Sequence, residues 1–254
     1  MTDVLRVATY NVHSWRGADG RIDPARALEV VRKLGADIVG LQEVTLLAGP
    51  PAVGEGGLPP RAAARSPAPQ PHRTEALLEK ATGLRAFSGA TMQRPDGSYG
   101  NLLLTRHPVE AVRRHHLSMR GREPRGALDL DVRVQGALVR VIVTHLGLNP
   151  AERTWQARRL VELLEGSRAD DIVLLGDFNQ WFPWWGSLRP LHRWFHTAPY
   201  RRTFPARWPL FPLDRIFVNP WPRLERLEVH RSPLARLASD HLPLCADLHP
   251  LDGT

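Results

Sequence analysis

The stretch Ile172-Val-Leu-Leu-Gly-Asp-Phe-Asn179 joins a short apolar run to a pair of polar residues. The apolar run predicts a buried strand, and Asp177 and Asn179 follow at the point where that strand ends. Polar side chains at the end of a strand have a rigid support, which is a recurrent way of building a functional site. The stretch therefore predicts a sheet protein whose strand ends carry the chemistry.

The same arrangement of polar residues at strand ends recurs along the chain. The other positions are Asn11 at the end of 5–11, Glu43 after 37–42, His145 at the end of 138–145, Asp214 in 213–218, and Asp240-His241 before 242–248. A single Glu after a strand is usually a solvated loop residue, and a single His beside an apolar strand is more often structural. Together, however, carboxylates and amides form an oxygen-rich set that suits Mg²⁺ or Mn²⁺ better than zinc.

Helix signals separate some of the strands. Asp23-Pro24 and Asn149-Pro150 each place a capping residue before a proline at the first helical position, and 74–83 predicts a third, short helix. Further strands are expected near 85–91, 100–104, 109–117, 127–134 and 224–230. Because strands outnumber helices, we expect an α/β protein with a two-sheet core and helices outside it. A Pro- and Gly-rich segment, 45–73, predicts a flexible loop inserted into one domain spanning 1–254.

The composition of the chain limits which cellular environment and which binding partners we expect. The formal net charge is +8, carried almost entirely by arginine, and favours phosphate-bearing partners, either nucleic acid or anionic lipid. Cys245, the only cysteine, lies in an apolar run and predicts a small core residue rather than a disulfide or a catalytic thiol. No apolar run is long enough to cross a bilayer, and no signal peptide pattern opens the sequence. We therefore expect a cytoplasmic monomer.

The ordered motifs resemble those of the endonuclease/exonuclease/phosphatase superfamily, in particular its short bacterial members. The matching segments are Asn11, Leu41-Gln-Glu43, Thr144-His-Leu146, Gly176-Asp-Phe-Asn179, Leu213-Asp-Arg-Ile216 and Ser239-Asp-His241. They occur in the family's order between residues 5 and 248. The resemblance implies a four-layer α/β/β/α sandwich with two mixed, mostly antiparallel sheets, and divalent-metal-dependent hydrolysis of a phosphoester.

The resemblance also implies roles for individual residues. Glu43 would be the main metal ligand, with Asn11 and Asp240 completing the environment of the metal and the phosphate. The catalytic set would be Asp177 and Asn179 for the attacking water, His241 paired with Asp214, and His145 as a proton donor to the phosphate or leaving group. Asn101 and Arg125 are expected at the substrate, although a turn Asn and a surface Arg are the alternatives.

The substrate itself stays open. A nuclease acting on DNA or RNA is the leading hypothesis, ahead of a phospholipid, sphingomyelin-type or inositol-phosphate phosphoesterase, and an inactive binding module is the least favoured. We expect two loops, 45–73 and 181–212, to decide specificity. The second is rich in Trp, Phe and Arg, which can stack on unpaired bases, enter a membrane interface, or pack as a satellite core.

Overall fold

The computed structural model describes residues 4–46, 73–94, 97–167, 169, 171–182, 184–195, 199–220 and 223–249. Most of the 45–73 loop expected from the sequence lies outside these residues. The strands are β1 (Leu5–Asn11), β2 (Ile38–Leu46), β3 (Arg85–Arg94), β4 (Gly97–Thr105), β5 (Val109–His116), β6 (Gly126–Val134), β7 (Ala137–His145), β8 (Asp171–Asp177), β9 (Asp214–Asn219), β10 (Leu224–Val229) and β11 (Leu244–Leu248). The helices are α1 (Pro24–Leu34), α2 (Arg73–Thr82), α3 (Pro150–Leu164), α4 (Arg189–Trp194) and α5 (Pro233–Ala238), with 3-10 turns at His13–Trp15 and Gly186–Leu188.

The strands form two sheets. The first has the order β10-β11-β1-β2-β4-β3, and the second has the order β5-β6-β7-β8-β9. Each sheet contains one parallel pair, β1 with β2 and β7 with β8, and the other pairings are antiparallel. The expectation of two mixed, mostly antiparallel sheets is confirmed.

Three apolar layers hold the sandwich together. Alternate residues such as Val7 of β1 and Val141 of β7 meet between the two sheets. The opposite face of the first sheet packs against α1, α2 and α5, and that of the second sheet packs against α3 and α4. Both faces of each central strand are therefore buried, which explains why these strands are continuous apolar runs instead of alternating patterns. This is the four-layer α/β/β/α arrangement.

The expected helix caps are present. The Asp23 carboxylate accepts a hydrogen bond from the Arg26 amide at the start of α1, and Asn149 Oδ1 accepts from the amides of Ala151 and Glu152 at the start of α3. Each cap satisfies a backbone donor that has no partner inside its helix. Cys245 is buried in β11, as expected of a core residue.

Two short helices were not predicted. α4 and α5 have six residues each; α4 lies in the expected loop 181–212, and α5 lies between the predicted strands 224–230 and 242–248. For α5 a signal exists, because Ser232 accepts from the Ala235 amide and Pro233 occupies the first helical position. Among the described residues, no helix is long and apolar enough to span a membrane.

Candidate active site

The polar strand ends meet because of the two parallel pairs. In the first sheet, Asn11 at the end of β1 lies opposite Gln42 of β2. In the second sheet, His145 at the end of β7 lies opposite Asp177 of β8, which in turn faces Asp214 of β9. Parallel neighbours end at the same edge of a sheet, so residues far apart in sequence are brought to one edge of the sandwich.

Asn11 joins the two sheets at this edge. Its Nδ2 donates to Glu43 Oε1 at 2.9 Å and to Asp177 Oδ2 at 3.0 Å. Asn11 is almost fully buried, so this amide has no competing contact with bulk water. One side chain therefore holds a carboxylate from each sheet within reach of a shared ligand.

Glu43 is placed by an irregularity in its strand. The register between β2 and β4 shifts between Leu41 and Val44, and Glu43 has a positive φ of 58°. A bulge of this kind inserts an extra residue and redirects its side chain, and bulges are frequent beside active sites. The strand thus continues through Leu46, beyond the end expected from the sequence.

The Gly176-Asp177 step explains why this motif contains glycine. Gly176 has a φ of 151°, and a Cβ at that position would lie 1.9 Å from the Thr144 carbonyl oxygen. Only glycine therefore allows β8 to approach β7 this closely just before Asp177. Beyond it, the Asn179 amide donates to Asp177 Oδ1 at 2.9 Å and Asn179 Nδ2 donates to the Leu146 carbonyl at 2.9 Å.

His241 and Asp214 form a buried pair. His241 Nδ1 lies 2.8 Å from Asp214 Oδ2, and its Nε2 lies 3.7 Å from Asp177 Oδ2. Burial alone lowers the pKa of His241, but the carboxylates of Asp214 and Asp177 outweigh burial and raise it to about 10. The ring is therefore a cation at neutral pH. Phe204 packs on it with 4.8 Å between ring centroids.

His145 has the opposite charge state. Its pKa is lowered to about 3 by burial and by the guanidinium of Arg125, against the opposing effect of Asp177. Arg125 Nη1 lies 3.0 Å from His145 Nδ1, and a guanidinium can only donate. The other ring nitrogen, Nε2, lies 3.0 Å from the amide donor Asn179 Nδ2 and 3.5 Å from Asp177 Oδ2, so both nitrogens of the neutral ring face N–H donors.

Three of the expected site residues have different surroundings from the rest. Asp240 is about one third exposed, and its carboxylate lies 3.5 Å from His13 Nδ1 and accepts a hydrogen bond from the Ser239 hydroxyl. Asn101 is buried and donates to the Gly126 carbonyl at 3.1 Å. Arg125 is committed to His145. Asn101 and Arg125 nevertheless line a narrow crevice together with Glu43 and His145.

Side chains of α3 fix the segment that follows His145. Gln156 Oε1 accepts from the Gly147 amide at 2.8 Å, and Arg153 Nη1 donates to the Leu148 carbonyl at 2.6 Å. Both side chains are completely buried, which their polar character does not predict. The contact of Phe204 with His241 had no signal in the sequence either, because the two residues come from separate segments.

Comparison with known proteins gives a consistent result. The model of the Endonuclease/Exonuclease/phosphatase family matches residues 8–241. A curated relative, "Uncharacterized protein YbhP" of Escherichia coli strain K12, is 30% identical over 258 residues, 96% of each chain. The chain belongs to the endonuclease/exonuclease/phosphatase family. Members of this family are hydrolases that act on phosphoester bonds, and they generally depend on a divalent metal.

Solved structures of this family share the fold. The endonuclease/exonuclease/phosphatase from Bacteroides vulgatus superposes with a TM-score of 0.73 at 18% identity, covering 98% of this chain and 100% of its own. The endonuclease/exonuclease/phosphatase from Beutenbergia cavernae DSM 12333 superposes with a TM-score of 0.72 at 23% identity, covering 97% and 72%. At these identities the likeness concerns the fold alone.

Two groups of side chains at this edge fit a divalent cation of the kind that the family uses. Asp177, Asp214 and His241 bring ligand atoms within 4.8 Å of one another. Metal binding there would require His241 to lose the proton that its neighbouring carboxylates favour. Glu43 and Asp177 instead offer two carboxylates around the Asn11 amide, a hard-oxygen set suited to Mg²⁺ or Mn²⁺.

Proposed function

We propose that this family member is a phosphodiesterase that uses Mg²⁺ or Mn²⁺ and cleaves DNA or RNA. One observation carries the proposal: three side chains converge on Oδ2 of Asp177. Asn11 donates to it, and the Nε2 atoms of His145 and His241 lie 3.5 Å and 3.7 Å away. A carboxylate oxygen surrounded by donors from both sheets is well placed to orient a water molecule beside a phosphate.

The charge of the substrate defines what the site must do. A phosphodiester is anionic and repels the attacking oxygen, so positive charge and hydrogen-bond donors must stabilise the transition state. A bound divalent cation would supply charge neutralisation and would lower the pKa of its water. Glu43, Asn11 and Asp177 are the residues proposed to hold it, with Asp240 on the outer side of the site.

Each of the remaining side chains has its own proposed role in the reaction. Asp177 accepts the proton of the attacking water, and Asn179 holds that water or a phosphate oxygen. His241, kept protonated by Asp214, donates to a non-bridging oxygen, where negative charge grows. His145, kept neutral beside Arg125, donates its ring proton to a phosphate oxygen or to the leaving oxygen. Water attacks phosphorus, the P–O bond to the leaving group breaks, and that oxygen is protonated.

Nucleic acid is the proposed substrate because of charge and surface chemistry. The chain carries a formal net charge of +8, mostly as arginine, which binds phosphates in a bidentate manner. An aromatic cluster formed by Trp181, Phe182, Phe204 and Phe211 adjoins His241 through Phe204. Aromatic side chains beside a phosphate site provide stacking platforms for bases.

The test is degradation of plasmid and single-stranded oligonucleotide with Mg²⁺ or Mn²⁺. We expect Asp177→Asn to lower kcat by about 10²–10⁴-fold, the contribution typical of a general base. Glu162→Gln is the matched control, because it removes a carboxylate from an exposed ion pair with Arg159 on α3. If the wild type cleaves neither nucleic acid nor bis(p-nitrophenyl) phosphate with either metal, the enzyme proposal is wrong and the inactive binding module gains support.

A second candidate, cleavage of a phospholipid or inositol-phosphate ester, is favoured by exposed tryptophans. Trp184 and Trp208 are 75% and 71% exposed, and Phe182 stacks on Trp184 while contacting Phe211. Exposed tryptophans are typical of membrane interfaces. Headgroup release from anionic liposomes, absent in Asp177→Asn and without cleavage of oligonucleotides, would establish this function in place of the nuclease.

A further inference from the structure

A cavity of about 490 Å³ opens beside Glu43, and the proposed phosphodiesterase does not yet use it. It lies between the His13–Trp15 turn, the start of α1, the start of α2, and strands β2 and β4. Its walls are largely apolar and include Trp15, Leu28 and Leu78. Since Glu43 belongs to the same wall, a group attached to a phosphate at Glu43 has direct access to this space.

Two hydrogen bonds to one backbone carbonyl hold the wall of the cavity together. Trp15 Nε1 donates to the Thr45 carbonyl at 3.2 Å, and the Thr74 hydroxyl donates to the same oxygen at 3.4 Å. Thr45 lies two positions beyond Glu43 on β2. The turn, the start of α2 and the strand that presents Glu43 are therefore fixed to one another, and the space between them is pre-formed.

Two apolar side chains of the wall remain open to solvent. Ile22 is 63% exposed and Leu77 is 48% exposed, and both line the cavity. Arginines stand beside them: the Arg94 guanidinium lies over the Tyr99 ring at 3.4 Å, and Arg16 completes the rim. Exposed apolar groups next to cationic groups suit a ligand that has an apolar face and a nearby negative charge.

Backbone strain is concentrated at the same place. Six described residues other than glycine have a positive φ, and four of them, His13, Ser14, Trp15 and Glu43, line this cavity. L-residues adopt this conformation at an energetic cost, and such residues cluster at ligand-binding sites where the surrounding structure imposes them. Three of the four, His13, Ser14 and Trp15, are consecutive. The surrounding structure, and not the backbone preference of these residues, therefore holds the turn in this conformation.

We propose that this cavity binds one unpaired nucleobase next to the scissile phosphate. A base offers two apolar faces to Ile22 and Leu77, while its ribose and the neighbouring phosphate lie towards Arg16 and Arg94. A base inside a duplex is stacked on both sides and cannot enter without being extruded. The proposal rests on the proposed nuclease function and deepens it, because it makes the enzyme selective for single-stranded or unpaired nucleic acid.

The test compares two oligonucleotides that differ only in whether the bases beside the cleavable phosphodiester are present. One oligonucleotide is single-stranded and complete, and the other carries abasic residues on both sides of each cleavable phosphodiester. From the usual contribution of one stacked base, we expect wild type to cleave the complete strand with a kcat/KM about tenfold higher. The difference should appear mainly in KM. A fully paired duplex should be cleaved as poorly as the abasic strand.

Two substitutions on α2 provide the matched variants. Leu77→Arg fills the cavity, whereas Ala76→Arg places the same charge on the adjacent exposed position, which does not line it. Ala76→Arg should retain the preference for the complete strand, and Leu77→Arg should abolish it. Ile22→Arg, at the other exposed apolar residue that lines the cavity, repeats the test should Leu77→Arg fail to fold.

The outcomes separate the two proposals. If wild type cleaves complete and abasic strands equally well, or if both Leu77→Arg and Ile22→Arg keep the preference, the nucleobase assignment is overturned while the nuclease stands. If wild type cleaves neither strand, the proposed nuclease fails, and the nucleobase assignment fails with it.

Discussion

Arg125 donates to Nδ1 of His145, and a guanidinium has no lone pair with which to accept in return. The contact therefore disfavours the protonated imidazole, because it sets one cation beside another. From the sequence we expected Arg125 at the substrate, but the geometry gives it a partner within the protein. Its contribution to the reaction is then indirect, through the charge state of His145.

Removing this cation should change the titration of His145. In Arg125→Met, the pKa of His145 should rise from about 3 towards its ordinary value, because the guanidinium no longer adds to the effects of burial and His241, which Asp177 opposes. The measurement is an NMR titration of the histidine ring in the metal-free protein. The acid limb of the pH profile of kcat/KM should also move to higher pH.

Arg122→Met is the control for this prediction, since Arg122 is exposed and precedes the same strand. An unchanged pKa of His145 in Arg125→Met would show that burial is sufficient to keep the ring neutral. The positioning role of Arg125 would then be wrong.

The second sheet carries a charge cluster on its outer face, around Asp129 of β6. Its carboxylate is completely buried and accepts hydrogen bonds from Arg140 of β7 at 2.7 and 3.0 Å and from Arg113 of β5 at 3.1 Å. His115 Nε2 lies 2.9 Å away. The cluster ties three neighbouring strands together, and β7 is the strand that presents His145.

Asp129→Asn should destabilise the fold by about 3–5 kcal/mol at pH 7, since it leaves the buried Arg140 without its carboxylate partner and removes one carboxylate from the partly exposed Arg113. Burial raises the pKa of Asp129, but the bonds from Arg140, Arg113 and His115 outweigh it and hold the pKa well below its ordinary value. This stability is therefore present above the unfolded pKa of about 3.9 and is lost as the pH falls below it.

Urea unfolding of wild type and Asp129→Asn at pH 7, 5 and 3 tests this prediction. The difference in the free energy of unfolding should be similar at pH 7 and 5 and should shrink at pH 3. Asp131→Asn, which removes a partly exposed carboxylate from the same Arg113, should cost much less. Equal losses for the two variants would contradict the role of the buried carboxylate.

The position of the metal depends on the whole sandwich, because the candidate ligands come from both sheets. We expect Mn²⁺ to raise the Tm of the wild type and to give an anomalous peak at Glu43 in a soaked crystal. Glu43→Gln should weaken Mn²⁺ binding by at least about tenfold, as loss of a carboxylate ligand requires.

Glu162→Gln again serves as the control for the loss of one negative charge. An anomalous peak among Asp177, Asp214 and His241 instead would show that metal displaces the proton of His241. That result would overturn the assignment to Glu43.

The sequence determined the elements and the identity of the polar strand ends. Apolar runs such as Ile172–Leu175, and caps such as Asp23 and Asn149, act between near neighbours, so their structure follows from local preference. The ordered motifs also indicated the family. The helices α4 and α5 were not predicted, because six residues are too few to show a helical periodicity.

Tertiary structure alone decided what each polar side chain contacts. Whether Arg125 meets a phosphate or His145, and whether Asp240 reaches Glu43 or His13, depends on how two sheets register across a core, which no local pattern records. The cavity beside Glu43 likewise exists only because a turn, two helices and two strands enclose it. Contacts between distant residues are set by packing, and packing is a property of the folded chain.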